Sequence, residues 1–276
     1  MPQRGRSDSG LLTIAPASRP TEVGGAQSIR RAMAVMRHVA SHPGGTRLRD
    51  VARACALNKA TCHRILAALV EEGFLETGAD GLVYGLGREA LAIGWAARAR
   101  QDVPALARPG MMRLSEKTAD TVFLSIRSGG EAICIAREVG SFPIKTLTLE
   151  IGSRRPLGVG SGSLTLLAFA PEHERETVIA AEGQRLAAYP AFTAARLGGL
   201  VAEARRVGHA FNDEGVLEGM SAVGVPVLGE DGHAIAALSI AAITPRMRDG
   251  RREEIVDLLH REAGILSRLM TGGAAG

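Results

Sequence analysis

Cysteine and long apolar runs are scarce in this chain of 276 residues. These two features argue against a disulfide-rich protein and against a membrane-spanning one. Three cysteines, Cys55, Cys62 and Cys134, cannot all pair, so they indicate reduced thiols and not a disulfide framework. The longest apolar run, Ala234–Ile243, is interrupted by Ser239 and is far shorter than the roughly 18 residues that cross a bilayer. The first residues carry two arginines and no apolar segment, unlike a secretory signal. We therefore expect a cytoplasmic protein without a membrane segment.

Composition and charge point to two different parts of the chain. Hydrophobic residues make up 46% of the sequence, enough to bury a core, and the length suits two domains. The net charge is +4, but residues 1–100 hold 14 Lys and Arg against 8 Asp and Glu, whereas the remainder holds 19 against 21. A basic first third joined to a nearly neutral body is typical of a nucleic-acid module attached to another domain. On charge alone, chance asymmetry remains the alternative.

Apolar periodicity and turn residues predict a winged helix-turn-helix over residues 27–87. Residues 1–26 are rich in Gly, Ser, Pro and Arg and are predicted to be a flexible tail. Helical spacing predicts three helices, over about residues 28–42, 47–55 and 59–72, with Asn58 as the N-cap of the third and Gly73 at its end. Two short extended segments flank the turn sequence of residues 78–81, which predicts a β-hairpin.

Strands and helices alternate in the rest of the chain. An alanine-rich stretch predicts a linker helix over residues 88–102, and residues 103–272 are predicted to form an α+β effector-binding domain. Its predicted strands cover about residues 121–127, 131–138, 145–150, 209–213, 222–228 and 234–242. Its predicted helices cover about residues 103–117, 161–170, 171–181, 193–207 and 249–270.

The third helix of the N-terminal unit is the predicted reader of double-stranded DNA. In a helix-turn-helix the second helix of the pair enters the major groove and presents its N-terminal outward residues to the bases. The outward positions are Lys59, Ala60, Thr61, His63 and Arg64, and Arg47 and Arg49 are predicted to clamp the phosphate backbone. The alternative for any one of them is an ordinary solvated side chain. Neighbouring cysteines and histidine lack zinc-finger spacing, so no metal site is predicted.

Several fragments, in this order and spacing, resemble the IclR family of bacterial transcription regulators. They include Ser-Ile-Arg-Arg-Ala from residue 28, Leu-Asn-Lys-Ala-Thr-Cys-His-Arg-Ile-Leu from residue 57, Gly-Ser-Arg-Arg-Pro-Leu from residue 152, Gly-Val-Pro-Val from residue 224 and Ala-Leu-Ser-Ile from residue 237. The resemblance implies a winged-helix homodimer, often a dimer of dimers, on a pseudo-palindromic operator. It also implies a GAF-like domain whose pocket takes a small, often carboxylate-bearing or aromatic metabolite.

The chain departs from the family pattern at positions expected to determine which operator and which effector it binds. The third helix opens with Asn-Lys-Ala-Thr where the family commonly has Pro-Lys-Ser-Thr, and residues 158–161 read Gly-Val-Gly-Ser where many members have His-Ala-Thr-Ala. Ala222 stands where many have cysteine. The operator sequence and the effector therefore cannot be transferred from the family.

The stretch from Pro156 to Ser163 is the candidate effector site. Small residues allow a ligand to approach the backbone, and the N–H groups that begin the next helix favour an anion. A dinucleotide fingerprint would need glycine at Ser163, and a nucleophile elbow centred on Ser161 would need glycine at Val159. A tightly packed connection is the remaining alternative. The resemblance places the effector against Val159, Gly160, Ser161, Asp213, Ala222, Ser239 and Ala241.

We accordingly expect a ligand-responsive regulator of a catabolic operon for a small organic or aromatic acid. An enzyme that carries a helix-turn-helix would require a catalytic cluster after residue 103, and the histidines there stand apart in sequence without a common motif. We therefore predict that the protein is not an enzyme, and we expect no cofactor. A second domain that serves only dimerisation is the third possibility.

Overall fold

The computed structural model describes residues 26–98, 102–181, 186, 188–248 and 250–272. The predicted tail lies outside this range except for its last residue, Ala26, which begins the first helix. The N-terminal elements are α1 (Ala26–Ala40), β1 (Thr46–Arg47), α2 (Leu48–Ala54), α3 (Lys59–Glu71), β2 (Leu75–Thr77) and β3 (Val83–Leu86). The strands form an antiparallel sheet in the order β1-β3-β2.

The inward face of α3 holds the N-terminal unit together. Cys62, Leu66 and Leu69 are buried there against Val39 of α1 and Val51 of α2, so the predicted apolar periodicity is confirmed. The connection between α2 and α3 turns at Ala56, whose φ of 50° is left-handed although the residue is not glycine. The Leu57 N–H donates to the Ala52 carbonyl (2.9 Å), which closes the turn. Two helices at this turn with a β-hairpin after them make a winged helix-turn-helix.

The remaining elements begin with two helices, α4 (Arg88–Arg98) and α5 (Val103–Thr118). Then follow β4 (Thr121–Ser128), β5 (Glu131–Glu138), β6 (Arg154–Pro156), α6 (Ser161–Ala168), α7 (Glu172–Ala181), α8 (Ala194–Val207), β7 (Ala210–Asp213), β8 (Met220–Leu228), β9 (Ala234–Ile243), a 3₁₀ turn (Thr244–Met247) and α9 (Arg251–Met270). None of the described helices combines the length and the apolar character needed to cross a membrane.

Six of these strands form one antiparallel sheet in the order β6-β5-β4-β9-β8-β7. Alternate side chains point to opposite faces, as a strand dictates. On one face Leu124, Val225 and Leu238 pack against α5 and α9, whereas Phe123 and Ser239 point to the other face. The sheet curls into a half-barrel with helices on both sides, and the predicted α+β class is confirmed.

The predicted strand over residues 145–150 is wrong. That segment is irregular, and the edge of the sheet is taken by β6, which pairs with β5 in the register Ile133 to Arg154 and Glu131 to Pro156. The alternating leucines that predicted the strand do not share one buried face, as they would in a strand. Leu147 is exposed, whereas Thr146 faces inward and Leu149 lies partly buried beside Phe123.

Helix α6 lies inside the curl of the sheet with all eight residues buried. Its sequence is small or apolar on every side, which is typical of a helix surrounded by protein. It approaches β8 closely at Gly224, where an added Cβ would lie 2.9 Å from the Thr165 Oγ1 and 3.1 Å from the Ser161 backbone. This contact requires glycine and fixes where the N-terminus of α6 lies against the sheet.

Candidate DNA interface and effector cavity

The start of α3 is fixed by its N-cap. The Asn58 Oδ1 accepts a hydrogen bond from the Thr61 N–H (2.8 Å), so the helix begins at Lys59. Burial of Cys62 and Leu66 then turns the opposite side of the helix to solvent. Of the predicted reading residues, Lys59, Ala60, His63 and Arg64 are exposed, and Thr61 is half-buried.

The two predicted phosphate clamps differ in their surroundings. Arg47 is exposed at the end of β1, directly before α2. Arg49 is exposed as well, but its Nε lies 3.5 Å from the Asp50 Oδ2, and Arg53 also pairs with Asp50. Such exposed pairs are weak. Arg49 therefore remains available to a phosphate, and Arg53 is a further cation on this helix that the sequence-based reasoning missed.

A cavity opens between the N-terminus of α6, the inner face of the sheet and the segment before β6. The space inside it for the centre of a water molecule is about 50 Å³, several times the roughly 10–15 Å³ that one water needs. Six of the seven predicted effector residues line this cavity: Val159, Gly160, Ser161, Ala222, Ser239 and Ala241. Elements far apart in sequence thus meet here.

Asp213 is the exception and does not line this cavity. It is exposed at the end of β7, where its Oδ1 accepts a hydrogen bond from the Ser221 hydroxyl (2.7 Å). The side chain of the preceding residue, Asn212, is buried and lines the cavity instead. Neighbouring residues of a strand point to opposite faces, so a shift of one position separates the two.

The N-terminus of α6 reaches the cavity without a capping side chain. Its N-cap is Gly160, with a left-handed φ of 83° that glycine adopts without strain. The first backbone bond of the helix runs from the Leu164 N–H to the Gly160 carbonyl (2.9 Å). The N–H groups of the first turn therefore have no helical partner and can bind an anion.

Arg155, on β6, is the cavity residue that sequence reasoning missed. It is half-buried, and its Nη2 donates to the Thr148 carbonyl (2.7 Å) in the irregular segment before β6. Burial lowers the pKa of its guanidinium. Arg155 belongs to the fragment Gly-Ser-Arg-Arg-Pro-Leu, next to Arg154. Only the alternation of side chains along β6 shows which of the two arginines faces the cavity, and the sequence did not predict this strand.

Cys134 is the other ionisable group of the cavity wall whose pKa is shifted. Burial raises the pKa of its thiol to about 11, so the group is neutral near pH 7. Its Sγ lies 3.5 Å from the Ala136 carbonyl oxygen, to which the thiol donates. Within the described residues, His, Cys, Asp and Glu side chains nowhere gather in a group of three that could hold a metal ion.

Two family models match the chain and together cover most of it. The helix-turn-helix domain of IclR matches residues 28–79, and the C-terminal domain of the bacterial transcriptional regulator IclR matches residues 96–268. The second match contains all residues that line the cavity described above. The first contains α3 and its exposed face.

Individual relatives agree with the family models. The chain is 26% identical to the HTH-type transcriptional regulator XynR of Escherichia coli K12 over 247 residues, which is 88% of this chain and 97% of that protein. An IclR transcriptional regulator from Silicibacter sp. TM1040 is 26% identical, with a TM-score of 0.76 over 90% of this chain and 98% of that one.

A third similar structure was solved with a bound ligand. It is an IclR homologue from Microbacterium hydrocarbonoxydans in complex with 4-hydroxybenzoate, 24% identical, with a TM-score of 0.69 over 87% of this chain and 97% of that one. At this identity the likeness supports the shared fold. The matches to both domain models lead to one conclusion: the chain belongs to the IclR family of DNA-binding transcription regulators.

Proposed function

We propose that this protein is a cytoplasmic, ligand-responsive transcription regulator and not an enzyme. The observation that carries the proposal is the presence, in one chain, of an exposed cationic helix face and a cavity at an uncapped helix N-terminus. In this proposal residues 27–87 read DNA, residues 88–102 connect, and residues 103–272 bind the effector. The predicted linker runs through residues 99–101, which lie outside the described range.

The proposed DNA contact is the start of α3 in a major groove. Lys59 and Arg64 would bond to phosphates or guanine acceptors, Thr61 and His63 would reach a phosphate or a base edge, and Ala60 would offer an apolar contact. Arg47 and Arg49, at the start of α2, would hold the phosphate backbone beside the groove. Within the part of the chain that the structure describes, no ion pair involves Lys59, His63 or Arg64, so all three are available to DNA.

A homodimer, or a dimer of dimers, would place two such helices on a pseudo-palindromic operator. Helix α4 supports this proposal because Leu91 and Ile93 are exposed on it, although large apolar side chains favour burial. Effector binding would change the equilibrium between two arrangements of the paired reading helices, with α4 as transmitter. Differential affinity for these arrangements would then switch DNA binding.

The proposed effector is a small carboxylate from a catabolic pathway for an organic or aromatic acid. The uncapped N-terminus of α6 supports an anion, and the family includes a protein solved with 4-hydroxybenzoate, itself a carboxylate. Val159, Gly160, Ser161, Ala222, Ser239 and Ala241 are the proposed contacts, with Asn212 in place of Asp213.

Fluorescence anisotropy with the promoter DNA next to the protein's own gene tests the first half of the proposal. We expect binding that prefers this sequence to a scrambled duplex and weakens steeply with salt. Arg64→Ala should weaken specific binding by about 1–3 kcal/mol. The matched control is Arg31→Ala, which removes an exposed arginine from α1. Equal affinity for both duplexes, or equal effects of the two substitutions, would contradict the assignment of α3 as the reader.

A further inference from the structure

Arg155 is a half-buried arginine to which the fold supplies no carboxylate. Its neighbour Arg154 points to the other side of β6, where its Nε bonds to the Glu131 Oε2 (2.9 Å). Arg127, also half-buried, pairs with Glu174. Within the described residues Arg155 forms no such pair, and its hydrogen bond goes to the Thr148 carbonyl.

The rest of the cavity leaves this positive charge uncompensated. The lining includes no aspartate or glutamate among the described residues. The Cys134 thiol cannot serve as the counter-charge because burial raises its pKa to about 11. Partial burial of a charge without a carboxylate partner is costly, and an anionic ligand in the cavity would offset that cost.

The guanidinium lies beside the start of α6. A Cβ added to Gly160 would be 3.2 Å from the Arg155 Nη1, which places the guanidinium next to the unbonded N–H groups of the first helical turn. Arginine presents several donors in one plane, and only one is used by Thr148. A carboxylate between Arg155 and the α6 N-terminus would accept bonds from both.

Three serine hydroxyls, those of Ser125, Ser161 and Ser239, face the same cavity. The residues are 3%, 4% and 5% exposed, and their hydroxyls form no hydrogen bond with any other described residue. Two of them converge, because a Cβ added to Gly162 would lie 3.1 Å from the Ser239 Oγ and 3.6 Å from the Ser125 Oγ. These hydroxyls are therefore open to the cavity and available to the polar groups of a ligand.

We propose that Arg155 binds the effector's carboxylate and that the effector is a short aliphatic hydroxy acid whose hydroxyl groups bond to Ser125 and Ser239. This assignment rests on the proposed function and specifies its ligand. Phe123 is the single aromatic side chain among the described lining residues, so the wall offers little surface for stacking on an aromatic ring. An acid without hydroxyl groups would leave the two serines unbonded.

Isothermal titration of the full-length protein with defined acids tests the assignment. We expect saturable binding of at least one of glycolate, D-glycerate and D-erythronate. Binding of glycerol, which lacks the charge, and of propionate and benzoate, which lack the hydroxyl groups, should be at least tenfold weaker. Saturable binding of benzoate in preference to all three hydroxy acids would overturn it. Failure of all three hydroxy acids to bind would overturn it equally.

Substitutions test the roles of the named residues. Arg155→Met should weaken hydroxy acid binding at least tenfold, while Arg154→Met, which removes the adjacent guanidinium from the other side of the strand, should leave it unchanged. Gly162→Ala, favourable to a helix, should also weaken binding because the new methyl group meets the two serine hydroxyls. Equal affinity of Arg155→Met and wild type would overturn the assignment. Promoter binding by the ligand-free protein is measured separately, and its loss would count against the proposed function instead.

Discussion

Two regions of the C-terminal domain bury charge in opposite ways. Asp120, at the start of β4, is 4% exposed, and its carboxylate accepts bonds from Arg246 (Nε to Oδ1, 2.9 Å) and Arg251 (Nη2 to Oδ2, 2.6 Å). Both arginines also donate to the Thr118 carbonyl. Arg155, in the cavity, has a backbone carbonyl and no carboxylate. Asp120 is paired where it joins elements, whereas Arg155 has no carboxylate partner among the described residues, at the place where we propose that a ligand binds.

The segment between β5 and β6 touches both regions. The guanidinium of Arg246 lies over the ring of Phe142, 3.9 Å from its centroid, and the Phe142 N–H donates to the Ala119 carbonyl (2.9 Å). Farther along the same segment, the Thr148 carbonyl accepts from Arg155. The paired cluster therefore anchors one end of the segment that covers the cavity, and the unpaired arginine holds the other end.

Removal of the shared carboxylate should have the largest effect. Asp120→Asn leaves two half-buried guanidinium groups without a counter-charge, and we expect a loss of about 3–5 kcal/mol in the free energy of unfolding. Urea denaturation followed by circular dichroism measures it. The control is Asp213→Asn, an exposed carboxylate with one hydroxyl donor, for which we expect at most about 1 kcal/mol. A similar loss in both variants would show that the Asp120 cluster is not a special centre of stability.

Replacement of the unpaired arginine should change stability in the opposite direction. Without ligand, Arg155→Met removes a desolvated charge and should raise the free energy of unfolding by about 1 kcal/mol, as is common when a functional group is replaced by an apolar one. Arg154→Met is the control, since it breaks the bonds to Glu131 and Ser128 and should lower stability. The same urea experiment measures both. If both variants lose stability alike, Arg155 is a structural residue and the contrast with Asp120 disappears.

The parts of the molecule that local signals define could be predicted from the sequence. The N-cap Asn58 and the apolar spacing of α3 are contained within a few residues, and they fix which side chains face solvent. The unpaired arginine could not be found in this way. Arg154 and Arg155 are chemically identical, and only the pairing of β6 with a strand some twenty residues earlier decides which of them enters the cavity.

Asp213 lies outside the cavity for the same physical reason. The end of a strand and the polarity of a residue were both predictable, but the face to which each side chain points depends on register. On β7 that register is set by pairing with β8, where Asn212 lies opposite Ala222 and both line the cavity. Contacts made across a sheet therefore limit sequence reasoning more than contacts along one helix.

The smallest effect concerns the thiol beside the unpaired charge. The positive charges of Arg137 and Arg155 slightly offset the burial that raises the pKa of Cys134 to about 11. Arg155→Met should therefore raise the pKa of Cys134 further and slow its alkylation by iodoacetamide between pH 8 and 9.5, because only the thiolate reacts. Mass spectrometry of the labelled peptides measures this rate, with Cys55, in the N-terminal unit, as the internal reference. An unchanged ratio of Cys134 to Cys55 labelling rates would mean that solvent screens the Arg155 charge inside the cavity, as it screens a surface arginine. The cavity and the Asp120 cluster would then differ in how far their charges are exposed to solvent, and not in whether those charges are paired.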